Sequence, residues 1–220
     1  MLAELDARLN EYERALTLIQ ELRRGEDSES LATREAEFLL ELGRTAEEER
    51  ILAHMKETYA DSLRTLLMAA KIAMRKTNYA EAVAYADKAL AQNSRLTLAY
   101  LIKGQSYYYN GQFQEALGAL ETVREIEGEQ SIVGRALRSQ VNWELGLYNE
   151  AIQELQRALA LNPGYEAARE QLIQMLTIRK RWEDLERLYS DTIAAQPRQV
   201  KGYIEAGRAA LQQADEILRK

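Results

Sequence analysis

The feature that most constrains this chain is a spacing. Four segments, NYAEAVAYADKALAQNS, QFQEALGALETVREIEG, LYNEAIQELQRALALNP and RWEDLERLYSDTIAAQP, align without a gap. Their aromatic second residues, Tyr79, Phe113, Tyr148 and Trp182, follow one another at 34, 35 and 34 residues. The chain has two prolines, Pro163 and Pro197, each just after an apolar-periodic run and again 34 residues apart. Proline does not continue a helix, so each marks a stop, and so few prolines in 220 residues predict long helices. A fixed period of this length means stacked supersecondary units rather than one layered core.

Composition narrows the classes further. With 46% apolar residues the chain is long enough to bury a sizeable core, yet it holds no apolar run near 18 residues, so no membrane insertion is expected. The opening MLAELDARLN is too charged for a signal peptide, and a cytoplasmic location is the expectation. A net charge of -6 argues against nucleic acid as partner, because that binding needs lysines and arginines gathered on one face. The absence of cysteine excludes disulfides, thiolate metal sites and a cysteine nucleophile.

The motif G-x-Y-x-E-A, read as GLYNEA at Gly146 to Ala151 and GQFQEA at Gly111 to Ala116, resembles that of tetratricopeptide repeat (TPR) proteins. Ala89, Val123 and Ala158 continue the pattern seven residues beyond its alanine. Gly207 falls 103 residues after Gly104, at the same place in the last unit, although it played no part in setting the register. The resemblance implies an all-α, right-handed α-solenoid of about six stacked helix-turn-helix units with a C-terminal capping helix. Its units fall at 1–28, 29–62, 63–96, 97–131, 132–165 and 166–199, with the cap at 200–220, all in one domain. Gly43, Thr77 and Gly111 keep the 34-residue spacing at the turn inside a unit, where glycine adopts positive φ without a clash. Departures stand out too. Thr45 and Glu48 replace the aromatic and the alanine in the second unit, and Leu185 replaces the alanine in the sixth. Arg135, Arg138 and Asn142 fall where the fifth unit calls for apolar residues, so a shift of one or two places there is an alternative register.

Nothing in the sequence assembles an enzyme, a metal site or a cofactor site. His54, the one histidine, is expected on the solvent side of a helix, without the i, i+4 partner that a metal-binding helix shows. Glu47, Glu48 and Glu49 open a helix, where negative charge favours the dipole, and are read as outward-facing. Gly104, Gly111 and Gly118 are spread over a helical hairpin instead of forming a phosphate loop after a strand.

What the resemblance implies is recognition on the inner face of a superhelix. The inner-face positions of the family's first helices fall on Arg64, Leu67, Lys71, Met74 and Arg75 in the third unit and on Leu98, Leu101, Gln105, Tyr108 and Tyr109 in the fourth. They continue at Val133, Gln140, Trp143 and Glu144 in the fifth and at Glu170 and Gln174 in the sixth. In SYYYNGQF this separates a structural Tyr107 from Tyr108 and Tyr109, which face a partner; exposed tyrosine and tryptophan bury much area with few rotors to freeze. The family's carboxylate clamp for chaperone tails is missing, since Leu67, Lys71 and Ile102 stand where its lysine and asparagines belong. The expected function is a protein-binding scaffold that holds a peptide or partner helix, as adaptor or assembly factor. The alternative is a structural or self-associating spacer of a larger protein, with a homo-oligomer possible.

Overall fold

The computed structural model describes residues 2–195 and, beyond them, Ile204, Gly207, Arg208, Leu211 and Asp215. The fold is all-α, a tandem of helical hairpins. The helices are α1 (Leu2–Gly25), α2 (Glu29–Leu42), α3 (Thr45–Thr58), α4 (Leu63–Arg75), α5 (Tyr79–Gln92), α6 (Thr97–Tyr109), α7 (Phe113–Glu127), α8 (Ile132–Glu144), α9 (Tyr148–Leu161), α10 (Glu166–Ile178) and α11 (Trp182–Ala195). Among the described residues no helix is long and apolar enough to cross a membrane.

Among the described residues one turn is built five times. Gly43, Thr77, Gly111, Gly146 and Lys180 all take positive φ, at 68°, 60°, 75°, 77° and 55°. In each turn the residue after this one donates its N–H to a carbonyl in the last turn of the preceding helix: Arg44 to Leu39 at 3.0 Å, Asn78 to Ala73 at 2.9 Å, Gln112 to Tyr107 at 2.9 Å, Leu147 to Asn142 at 2.8 Å and Arg181 to Leu176 at 2.9 Å. This Schellman closure satisfies helix carbonyls that would otherwise be orphaned. The second helix of each pair then starts one residue later, at Thr45, Tyr79, Phe113, Tyr148 and Trp182. Serine caps open three of the first helices: Ser28, Ser62 and Ser131 accept from the N–H of Leu31, Arg64 and Gly134. The extra residue of the 35-residue spacing lengthens α7 to 15 residues, against 14 in α3, α5, α9 and α11.

Contacts divide the chain into two compact units, Met1–Ala119 and Leu120–Lys220, with the boundary inside α7. In the first, one cluster joins Leu16 of α1, Ala36 and Leu39 of α2, Ile51 and Met55 of α3, and Met68 and Ile72 of α4. A second joins Leu66, Ala70 and Ala73 of α4, Ala82, Ala86 and Ala89 of α5, and Ala99 and Ile102 of α6. Three alanines of α5 have no exposed surface at all, because small side chains let the flanking helices close on it. In the second unit Ala136, Ala151, Ile152, Leu155, Leu172, Leu176, Leu185 and Tyr189 form the core.

Three expectations change. Where the repeat predicts a helical pair over residues 1–28, α1 runs uninterrupted from Leu2 to Gly25. Asn10, at the place where Gly43, Gly111 and Gly146 close the turns of other hairpins, lies inside this helix instead. In the fifth unit α8 keeps the unshifted register. Arg135, Arg138 and Asn142 are buried there, at 3%, 3% and 8% exposure. The charge of the two arginines is met by Glu154 of α9, which lies 2.9 Å from Arg135 Nη1 and 3.0 Å from Arg138 Nη2. Arg135 also pairs with Glu129 and donates from Nε to the Glu129 carbonyl at 3.0 Å. The third change is Glu48: it is fully buried, not outward-facing, and pairs with Arg75 of α4.

The capping helix expected over 200–220 lies outside the described residues apart from five helical ones. Gly207 sits on the ring of Tyr189, where a Cβ would come within 2.9 Å of Cδ2.

Candidate partner-binding face

Within the first unit, α2, α4 and α6 are the first helices of consecutive hairpins, and α4 packs against both of the others. The predicted inner-face residues of α4 and α6 belong to this row.

The basic residues of α4 are engaged by acids of the preceding hairpin. Arg64 Nη1 lies 3.8 Å from Glu29, Lys71 Nζ lies 3.9 Å from Glu37, and Arg75 pairs with Glu48 while donating to the Leu40 carbonyl at 2.6 Å. Glu47 and Glu49 act likewise: Glu47 holds Arg44 at 2.6 Å and Glu49 pairs with Lys76. The three successive glutamates of α3 therefore hold three separate cations, in addition to any dipole effect. Leu67 and Met74 pack half-buried against the α4–α5–α6 cluster.

On α6 the surface turns apolar. Leu98 is 38% exposed, while Leu101 and Gln105 are half-buried. Tyr109, 54% exposed, stacks on Tyr79 at 5.8 Å between centroids and meets Tyr108 edge-on at 5.3 Å. Tyr108 leans on Phe113 across the turn at 5.9 Å. Tyr107 is half-buried and lines a cleft of about 200 Å³ with Tyr79, Val83, Ser106 and Gln112. The result is a tyrosine ladder, Tyr79–Tyr109–Tyr108, clamped at one end by Phe113. The sequence separates Tyr107 from its neighbours but does not give the stack on Tyr79, which lies 30 residues away on another hairpin.

The second unit carries the other predicted residues. Trp143 is half-buried, packs against the core and meets Tyr148 edge-on at 4.8 Å. Arg179 covers the same Tyr148 ring at 4.4 Å, within cation–π range. Gln140 is half-buried; Val133, Glu144, Glu170 and Gln174 are exposed. A cleft of about 450 Å³ lies between α9, α10 and α11, lined by Leu159, Arg169, Leu172, Arg187, Leu188 and Asp191 among others, none of which the sequence pattern singles out.

His54 is not a free solvent-facing residue. The loop after α1 brings Asp27 to it, with Nε2 2.7 Å from the carboxylate. Burial works to raise the Asp27 pKa, but the hydrogen bond and charge of Arg23, and then His54, outweigh it and hold the carboxyl below its ordinary value. Among the described residues no group of three or more histidines or acids could hold a metal ion.

A helical pair closed by a positive-φ turn and repeated at 34 residues is matched in solved structures. TTC0263, a thermophilic TPR protein from Thermus thermophilus, superposes with a TM-score of 0.69 over 80% of this chain and 95% of its own, at 17% identity. The fold is that of TPR proteins. The hairpins also superpose on a chain of the APC/C hetero-tetramer Cut9–Hcn1, with a TM-score of 0.73 at 13% identity, over 93% of this chain and 40% of that one. The MamA protein matches with a TM-score of 0.60 at 14% identity, over 78% of this chain and 93% of its own. Residues 75–158 match the family described as anaphase-promoting complex, cyclosome, subunit 3. No curated protein matches the sequence.

Proposed function

We propose that the α4–α6 face of this TPR protein holds an extended segment or helix of a protein partner, as an adaptor or assembly factor. The observation that carries the reading is the exposed Tyr109, stacked on Tyr79 and Tyr108, on the same helix as the exposed Leu98. Stacked, half-packed aromatics present apolar area with their rotors already restricted, which lowers the entropy cost of docking. The neutralised cations of α4 set the chemistry of the segment. With Arg64, Lys71 and Arg75 paired internally to Glu29, Glu37 and Glu48, the face favours apolar and aromatic anchors over an acidic peptide.

A photo-crosslinking amino acid placed at Tyr109, used in the native host, tests this. Crosslinks to one defined partner are expected, and they should be absent from the same probe at exposed Gln153 of α9. Tyr109→Ala should abolish capture in a pull-down while lowering stability by under about 1.5 kcal/mol, the scale of one aromatic pair. Equal capture by Tyr109→Ala, or crosslinks at both probe sites alike, would overturn the reading.

A further inference from the structure

α1 stands where the other hairpins have a second helix, and it differs from them on one side. Counting from the first residue of each second helix, or from Tyr12 in α1, the eleventh residue is Met55 in α3, Ala89 in α5, Val123 in α7, Ala158 in α9 and Thr192 in α11. These are at most 5% exposed, and Met55 and Ala89 lie in clusters fed by helices on both sides. The same place in α1 is Leu22, 58% exposed, and four residues earlier Leu18 is 60% exposed, where α3 has Ile51 at 4%. α2 covers only the other face of α1. Tyr12 meets Phe38 at 5.9 Å, Leu16 is buried in the core, and Arg23 and Gln20 both bond Glu35.

At 100° per residue, Glu11, Ala15, Leu18, Leu22 and Gly25 fall within an arc of about 80°, a continuous strip along α1. Arg14 and Glu21 lie seven residues apart on one flank of that strip. Both are exposed, and among the described residues neither has an ion-pair partner. A second α1 laid antiparallel with Leu18 on the two-fold axis sets Leu18 against Leu18 and Leu22 near Ala15. It also brings Arg14 of each helix within reach of Glu21 of the other. Two-fold symmetry makes that complementarity count twice.

We infer that the open strip of α1 is a homodimer interface, in which two copies of this chain pair antiparallel through Leu18 and Leu22. This surface is separate from the α4–α6 face.

The test is sedimentation equilibrium of the full chain from about 1 to 200 µM. Wild type is expected to approach twice the chain mass, and L18E/L22E to remain monomeric with unchanged helicity. Arg14→Glu should weaken the dimer by about fivefold, from two repelling pairs at the scale of exposed ion pairs. Adding Glu21→Arg to it should restore wild-type affinity. A wild type that stays monomeric throughout, a dimer that L18E/L22E leaves intact, or a charge swap that fails to rescue would each overturn the inference.

Discussion

The α4–α5 and α8–α9 hairpins share one backbone plan and fill their interiors by opposite means. In α4–α5, Ala70, Ala73, Ala82, Ala86 and Ala89, none more than 4% exposed, bring the helices together by having almost nothing between them. In α8–α9 the corresponding space holds Arg135, Arg138, Ser139 and Asn142, all buried. There Glu154 takes both guanidinium groups and Ser139 donates to the Ala151 carbonyl at 2.8 Å. The TPR plan therefore specifies a volume and a turn, not an apolar interior. Charge is tolerated where a neighbouring helix supplies its complement, and the tolerance is fragile. Removing one member of a buried ion cluster leaves the others uncompensated, whereas a cluster replaced whole by apolar groups often loses nothing.

The largest effect is expected from Glu154→Ala, which strands Arg138 and leaves Arg135 to Glu129 alone. Chemical denaturation should show a loss of about 3 to 5 kcal/mol. Replacing the cluster together, as Arg135→Met, Arg138→Leu and Glu154→Leu, should recover that loss or exceed wild type. Arg138 Nε and Nη1 are buried without a hydrogen-bond partner among the described residues, so little bonding is lost with them. A triple variant as unstable as Glu154→Ala would show that the ions are integral to the packing.

On the alanine side the sensitive change is volume. Ala86→Leu should cost about 1 to 3 kcal/mol by overpacking, as should Ala116→Leu and Ala151→Leu, whose sites are equally closed. The measurement is the same denaturation series, and a neutral Ala86→Leu would mean that α5 has room to shift.

A smaller effect separates the turns. Thr77 and Lys180 hold left-handed conformations that Gly43, Gly111 and Gly146 adopt freely. Thr77→Gly should therefore stabilise by about 1 kcal/mol, with Lys180→Gly following in the same direction. Thermal melts compared with Gly111→Thr, which should lose stability, check the sign.

The smallest contrast is a pH dependence beside the charged hairpin. The charge of Arg135 outweighs desolvation and, with help from Arg124 and Arg138, holds the exposed Glu129 below its ordinary value of 4.5. A lowered folded value gives stability that is complete above the ordinary value and fades as pH falls through the folded one. The melting temperature should thus drop less between pH 5 and about pH 3 in Glu129→Gln than in wild type.

Much of the fold was legible because it rests on local, periodic signals. The 34-residue recurrence of Gly43, Thr77 and Gly111 places the turns, and Gly207, in register with Gly104, falls where it meets Tyr189. What stayed hidden depends on pairs distant in sequence. Glu48 departs from the pattern, but its reason is Arg75, 27 residues on in another hairpin. Arg135 and Arg138 look like misfits until Glu154 is seen opposite them. The face was legible as a set of positions and not as a chemistry: the sequence shows basic residues on α4 without showing the acids that neutralise them. Tyr109 is readable as an outward aromatic, yet its stack on Tyr79 requires the geometry of two hairpins.

The contact between Gly207 and Tyr189 has a spectroscopic consequence. Burial raises the pKa of the Tyr189 phenol above the ordinary value of 10.0, so its ultraviolet ionisation step is displaced to higher pH. A difference titration against Tyr189→Phe isolates that step among the twelve tyrosines of the chain. Because the glycine covers the ring, any substitution at residue 207 that opens this contact should return the step toward its ordinary position. The protein thus carries an intrinsic optical gauge of how closely Gly207 approaches Tyr189.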